Sequence, residues 1–167
     1  MQSYSKAKFI LLTLWVAIVP LRSQAFVVPM SFAEKCSRAE AILHITVEKV
    51  ESVDLTKNIA WQFHALARCK VISSYKGKED WKGKLVFIPC DYHFDESPCD
   101  IEEGKEYVVF LETMGNFSKF GHPVGPLCCH LISDGKVFSG IPDKGSMKVE
   151  EFVQLIHAEL LKSKQPE

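Results

Sequence analysis

Cysteines, histidines and paired carboxylates are the residues of this chain with chemistry to offer. The cysteines are Cys36, Cys69, Cys90, Cys99, Cys128 and Cys129, an even number. The histidines, His44, His64, His93, His122, His130 and His157, are scattered, with no His-Glu-x-x-His pair. A catalytic zinc needs three protein ligands around an open position. The tightest cluster is Cys90, His93 and Cys99, with Asp91, Asp95 and Glu96 between them. It has no assignable fourth ligand, and a secreted chain would oxidise its thiols. We therefore expect a disulfided acidic loop there, with no metal and no cofactor. The chain holds no Gly-x-Ser-x-Gly elbow, Walker loop or dinucleotide fingerprint. Glu102/Glu103 and Glu150/Glu151 fall at a turn and a helix start, where carboxylates are usually solvated. No catalytic residue is assigned, and the expected class is a non-enzyme.

The compartment decides how the cysteines are read. Lys6 and Lys8 precede an apolar run, Phe9 to Pro20, that is too short to span a bilayer. Ser23-Gln24-Ala25 then places small residues at −3 and −1 of a cut after Ala25, the pattern of a secretory signal peptide. All six cysteines follow that cut, so the expectation is a secreted, extracellular protein with all six bridged. Cys128 and Cys129 are adjacent, and neighbouring cysteines reach different partners more readily than each other. Asn116-Phe117-Ser118 is a glycosylation sequon.

The elements that must position these groups come next. Removing residues 1–25 leaves 142 of 167, enough for one domain with a core. That remainder holds 17 Lys+Arg against 21 Asp+Glu, which argues against nucleic acid as a partner. Lys70, Lys76, Lys78, Lys82 and Lys84 do cluster. A solvated strand–turn–strand face accounts for them better than a patch for a sulfated glycan or acidic partner, since Glu79 and Asp80 interrupt it.

Residues 26–35 form a short leading segment. β-Branched and apolar residues predict strands over 40–50, 59–75, 84–89 and 106–111. In the second, Trp61, Phe63, Ala65, Ala67, Cys69 and Val71 share one face. Asp54 to Asn58 reads as a turn, and 113–126, with three glycines and two prolines, as a long loop. Cys128–Ile132 and Lys136–Ser139 flank Ser133-Asp134-Gly135, a hairpin turn. From Ser146 the period becomes 3.6, and Val149, Phe152, Leu155, Ile156 and Leu160 make an apolar stripe behind a Ser N-cap. Residues 161–167 read as a polar, flexible tail. The expected fold is mainly β: a small barrel with a C-terminal helix packed on it.

The order of features resembles a known family. Cys36-Ser37-Arg38-Ala39-Glu40 leads into the first strand. Cys69-Lys70-Val71 through Tyr75-Lys76-Gly77 closes the second. Pro98-Cys99, Gly104-Lys105-Glu106-Tyr107 and a strand follow, then Leu127-Cys128-Cys129-His130-Leu131 and a helix. Over 36–160 this resembles the netrin-like (NTR) superfamily, which includes the tissue inhibitors of metalloproteinases (TIMPs) and the laminin-binding N-terminal domain of agrin. The resemblance implies a five-stranded, disulfide-stapled OB-fold barrel. It implies a monomer that binds an extracellular matrix protein, in the manner of laminin binding. Metalloproteinase inhibition is the alternative, with an extracellular protease as partner. The inhibitors start on Cys-x-Cys, whose terminal amine and carbonyl chelate the protease zinc. Here the expected start is Phe26, and Cys36 matches the later family cysteine before the first strand. The segment Cys69-Lys70-Val71 to Tyr75-Lys76-Gly77-Lys78 is similar to the agrin-type domain.

Overall fold

A computed structural model describes residues 30–53, 63–78, 80–92, 101–113, 121–123, 128–139, 141 and 144–163. The expected signal peptide, the 54–58 turn, Trp61, His93, Cys99 and Asn116 lie outside the described residues.

The leading segment is not featureless. Ser31 stands at the N-cap in extended conformation, and its hydroxyl accepts from the Glu34 N–H at 3.2 Å. This starts α1, Phe32–Arg38. Lys76 ends it by donating from Nζ to the Cys36 and Ser37 carbonyls at 2.9 and 3.0 Å. Those are last-turn acceptors that the helix itself cannot satisfy.

The chain then builds one antiparallel sheet: β1 Ala41–Ser52, β2 Phe63–Lys76, β3 Leu85–Tyr92, β4 Glu106–Thr113, β5 Gly121–Pro123, β6 Cys129–Ser133, β7 Lys136–Phe138 and β8 Ser146–Lys148. Its order is β3-β2-β1-β4-β6-β7-β8, with β5 also paired to β4. The β5 strand lies against β3, so the ends of the sheet's first half approach one another. β1 and β4 pair without interruption from Ala41↔Leu111 to Thr46↔Glu106. β1 and β2 pair with three register shifts, the irregularities that bend a strand and increase its twist. The expected strand over 59–75 is thus present from Phe63 on. The β6–β7 turn places Asp134 and Gly135 at φ 51° and 71°. Two successive positive φ values mark a type I′ hairpin turn, as the Asp-Gly pair predicts.

Alternation divides the side chains between two cores. Leu43, Ile45, Val47, Ala67, Cys69, Val71, Ile88, Val109 and Leu111 pack on the inner face of the curved sheet. Ile42, Val108, Phe110, Cys128 and Val137 pack on the other face, under Cys36 of α1 and under Phe152 and Ile156 of α2, Val149–Lys162. Both faces of β4 are therefore buried, because the helices cover the second.

Three sequence expectations need correction. The loop over 113–126 contains β5. The C-terminal helix begins at Val149, with Lys148 at an N-cap that has no side-chain hydrogen bond. Ser146 opens β8, whose pairing to β7 overrides the local helix-start signal. Leu155 is only partly buried and faces a groove beside β8, not the core. No helix among the described residues is long and apolar enough to cross a membrane.

Candidate binding surface and the buried thiols

The cysteines fall into separate environments. Cys36 and Cys69 are buried free thiols, Cys90 and Cys128 are buried as well, and Cys129 is disulfide-bonded. This departs from the expectation of six bridged cysteines. For Cys69 and Cys90 the cause is register. Cys69 opposes Val86 and Cys90 opposes Ala65, so they stand four positions apart on neighbouring strands. That offset is about 13 Å along the strand, whereas bridged Cα atoms lie within about 7 Å. Cys36 and Cys128 instead share the helix-side core. Burial pushes the Cys36 thiol up to about 12, with Glu159 adding to it. Burial also raises Cys69 to about 12, with Cys90 adding. Neither is a thiolate at neutral pH, so neither is a nucleophile there.

The helix-side core also holds two buried bases. His130 is 3% exposed, with its ring centroid 5.4 Å from that of Phe110, edge-on, and 5.0 Å from that of Phe152, tilted. Its Nδ1 donates to the Phe138 carbonyl at 3.1 Å, which leaves Nε2 as the acceptor. Among the described residues Nε2 has no partner. Burial, helped by the nearby Lys35 ammonium, lowers the imidazole to about 4. Lys35 is buried too, and burial lowers its own value. No group of three or more metal-ligating side chains gathers among the described residues.

The basic cluster is dispersed by the fold. Lys76 caps α1. Lys84 lies over the Trp81 ring at 5.4 Å. Lys70, Lys78 and Lys82 are exposed. Glu102 and Glu103 lie in the turn before β4, and Glu103 accepts from the Val50 N–H at 3.3 Å. Glu150 and Glu151 sit exposed in the first turn of α2, where negative charge suits the helix dipole.

A surface that sequence reasoning passed over lies on β6, β7 and β8. Ile132 opposes Val137 on the helix side. Continuing that register sets Leu131 opposite Phe138 on the other face. There they are 38% and 63% exposed. Lys136 shares that face with Phe138 and stands directly opposite Lys148. Like charges in directly opposed positions disfavour the sheet. A large aromatic held in water beside two directly opposed lysines is a poor solution for stability and a good one for recognition. The signal was available: an Asp-Gly turn at 134–135 fixes which residues face each other three positions either side.

Compared with known proteins, the chain matches no family model and no curated sequence.

Proposed function

We propose that this protein is a secreted, non-enzymatic module of the netrin-like kind that binds an extracellular matrix protein through the Leu131–Phe138 face. The observation that carries the reading is Phe138, 63% exposed on a regular strand, flanked by Leu131 and the Lys136/Lys148 pair. Aromatic anchors that fill a partner's pocket dominate interface energetics. The fitting partner presents an apolar pocket rimmed by carboxylates. The OB-barrel part of the reading is supported by β1 pairing with both β2 and β4, and by β5 bridging β4 towards β3.

Two features weigh against the inhibitor alternative. Cys36 lies inside α1 and is buried, and its carbonyl is occupied by Lys76. The chelating wedge of the inhibitors needs that type of group at a free chain end.

The test is binding of the secreted protein to immobilised laminin and other matrix proteins. Phe138→Ala and the Lys136→Glu/Lys148→Glu pair are each expected to weaken binding by tenfold or more, about 1.4 kcal/mol, with melting unchanged. Retained binding in both would overturn the surface. Nanomolar inhibition of a matrix metalloproteinase by the form starting at Phe26 would overturn the choice of partner class.

A further inference from the structure

β8 ends the sheet, and its outer edge has no strand beside it among the described residues. The register shows which backbone groups that edge presents. Ser139 N–H donates to Gly145 C=O at 3.0 Å, and Val149 N–H donates to Gly135 C=O at 3.3 Å. In antiparallel alternation these bracket Val137/Met147 as the hydrogen-bonded pair. The N–H and C=O of Ser146 and the N–H of Lys148 therefore point away from β7. Beside them runs a groove of about 570 Å³, lined by Lys144, Met147, Glu151, Gln154, Leu155 and Ala158. On α2, Glu151, Leu155 and Ala158 fall at spacings of four and three, one stripe of the helix. Leu161 extends that stripe and is 66% exposed.

The charges around this edge have an order along the chain. Lys144 precedes β8, and Glu150 and Glu151 follow it. We infer that the occupant of this edge is a second copy of the chain, joined across a two-fold axis by antiparallel pairing of β8 with β8. With Ser146 of one copy opposite Lys148 of the other, Lys144 of each comes beside the acidic first turn of the other's helix. The alternative register, Ser146 opposite Ser146, would set Lys144 against Lys148 and is disfavoured by charge. The chosen register makes one continuous sheet, backed by two antiparallel α2 helices that meet through Leu155, Ala158 and Leu161. A foreign extended peptide could satisfy the strand edge, but one strand would leave Leu161 in water. The two-fold arrangement replaces the monomer expected from sequence and does not depend on what the Phe138 face binds.

Sedimentation equilibrium of the full secreted chain tests it. A dimer at about 100 µM is expected, the range of a weak but specific association. Leu161→Glu and Ser146→Pro are both expected to give monomers. Both sites are exposed, and proline is tolerated on an edge strand. Lys144→Glu alone is expected to give monomers, as is Glu150→Lys/Glu151→Lys alone. Mixing the two reversed proteins is expected to give a heterodimer. That outcome requires both to be folded and so separates lost pairing from lost structure. A monomeric parent, a dimer that survives Leu161→Glu, or reversed proteins that fail to pair would each overturn the inference.

Discussion

The inner core of the curved sheet and the core beneath the helices differ in kind. Strands supply nearly all of the first, and its side chains are mostly aliphatic. Its one buried phenol, Tyr107, accepts from the Glu102 N–H at 3.0 Å, so no polar end is stranded there. The second core gathers Phe32, Phe110 and Phe152 around His130, with Lys35, Cys36 and Cys128 nearby. Phe110 meets Phe32, Phe152 and His130 at centroid distances of 6.0, 6.4 and 5.4 Å. A core closed by strands alone is secured by register and volume. A core closed by two helices from opposite ends of the chain adds aromatic geometry and buried charge-bearing groups, and it is the part that conditions can loosen.

The largest expected effect is on that second core. Phe110→Ala removes an aromatic with no solvent exposure and is expected to cost about 3–5 kcal/mol in urea unfolding. Val109→Ala, one residue away on the inner face, removes far less volume and is expected to cost about 0.5–2 kcal/mol. Equal losses would erase the distinction between the cores.

Disulfide mapping sharpens the comparison next. Peptide mass spectrometry of the secreted protein is expected to find Cys129 in a bridge, with Cys36 and Cys69 alkylatable only after unfolding. A Cys69–Cys90 crosslink would contradict the β2–β3 register.

Acid separates the cores through His130. Its folded value lies near 4, below the unfolded 6.5, because burial disfavours the imidazolium. The stability it contributes is complete above pH 6.5 and is lost as pH falls towards 4. Over that window the loss attributable to this one group is about 3 kcal/mol. The difference between the parent and His130→Gln, followed by chemical denaturation from pH 7.5 to 4, is expected to shrink as pH falls. A pH-independent difference would show that His130 does not titrate in this core.

The smallest effect belongs to the outer face. Lys136→Gln removes one member of a directly opposed like-charge pair and is expected to raise stability by about 0.2–1 kcal/mol. A loss of stability would mean that the lysines hold a compensating partner.

Much of this arrangement was legible in the sequence because strand alternation and the Asp-Gly turn are local signals. The four longer strands, the β6–β7 hairpin and the C-terminal helix all follow from them. Three elements did not. α1 carries a Ser31-x-x-Glu34 capping pattern that the reading of 26–35 as a mere leader passed over. β5 and β8 have three residues each, and long-range pairing to β4 and β7 creates them, not propensity. The Phe138 face was hidden because exposed and buried apolar residues look alike until a register assigns them to sides.

β1 has a consequence for how this chain can vary. Adjacent residues such as Ile42 and Leu43 serve opposite cores. The pairing to β4 runs unbroken from Ala41 to Thr46, whereas the pairing to β2 slips at Ile42/Leu43 and His44/Ile45 as well as between Val47 and Lys49. Deleting one residue within 41–46 would turn the strand over against β4 and exchange both cores at once. Deleting one just after Val47 would fall where β4 has ended and the ladder is already out of step. Chain length is therefore locked in the first half of this strand and free to drift in the second, so length differences among relatives are expected to collect after Val47.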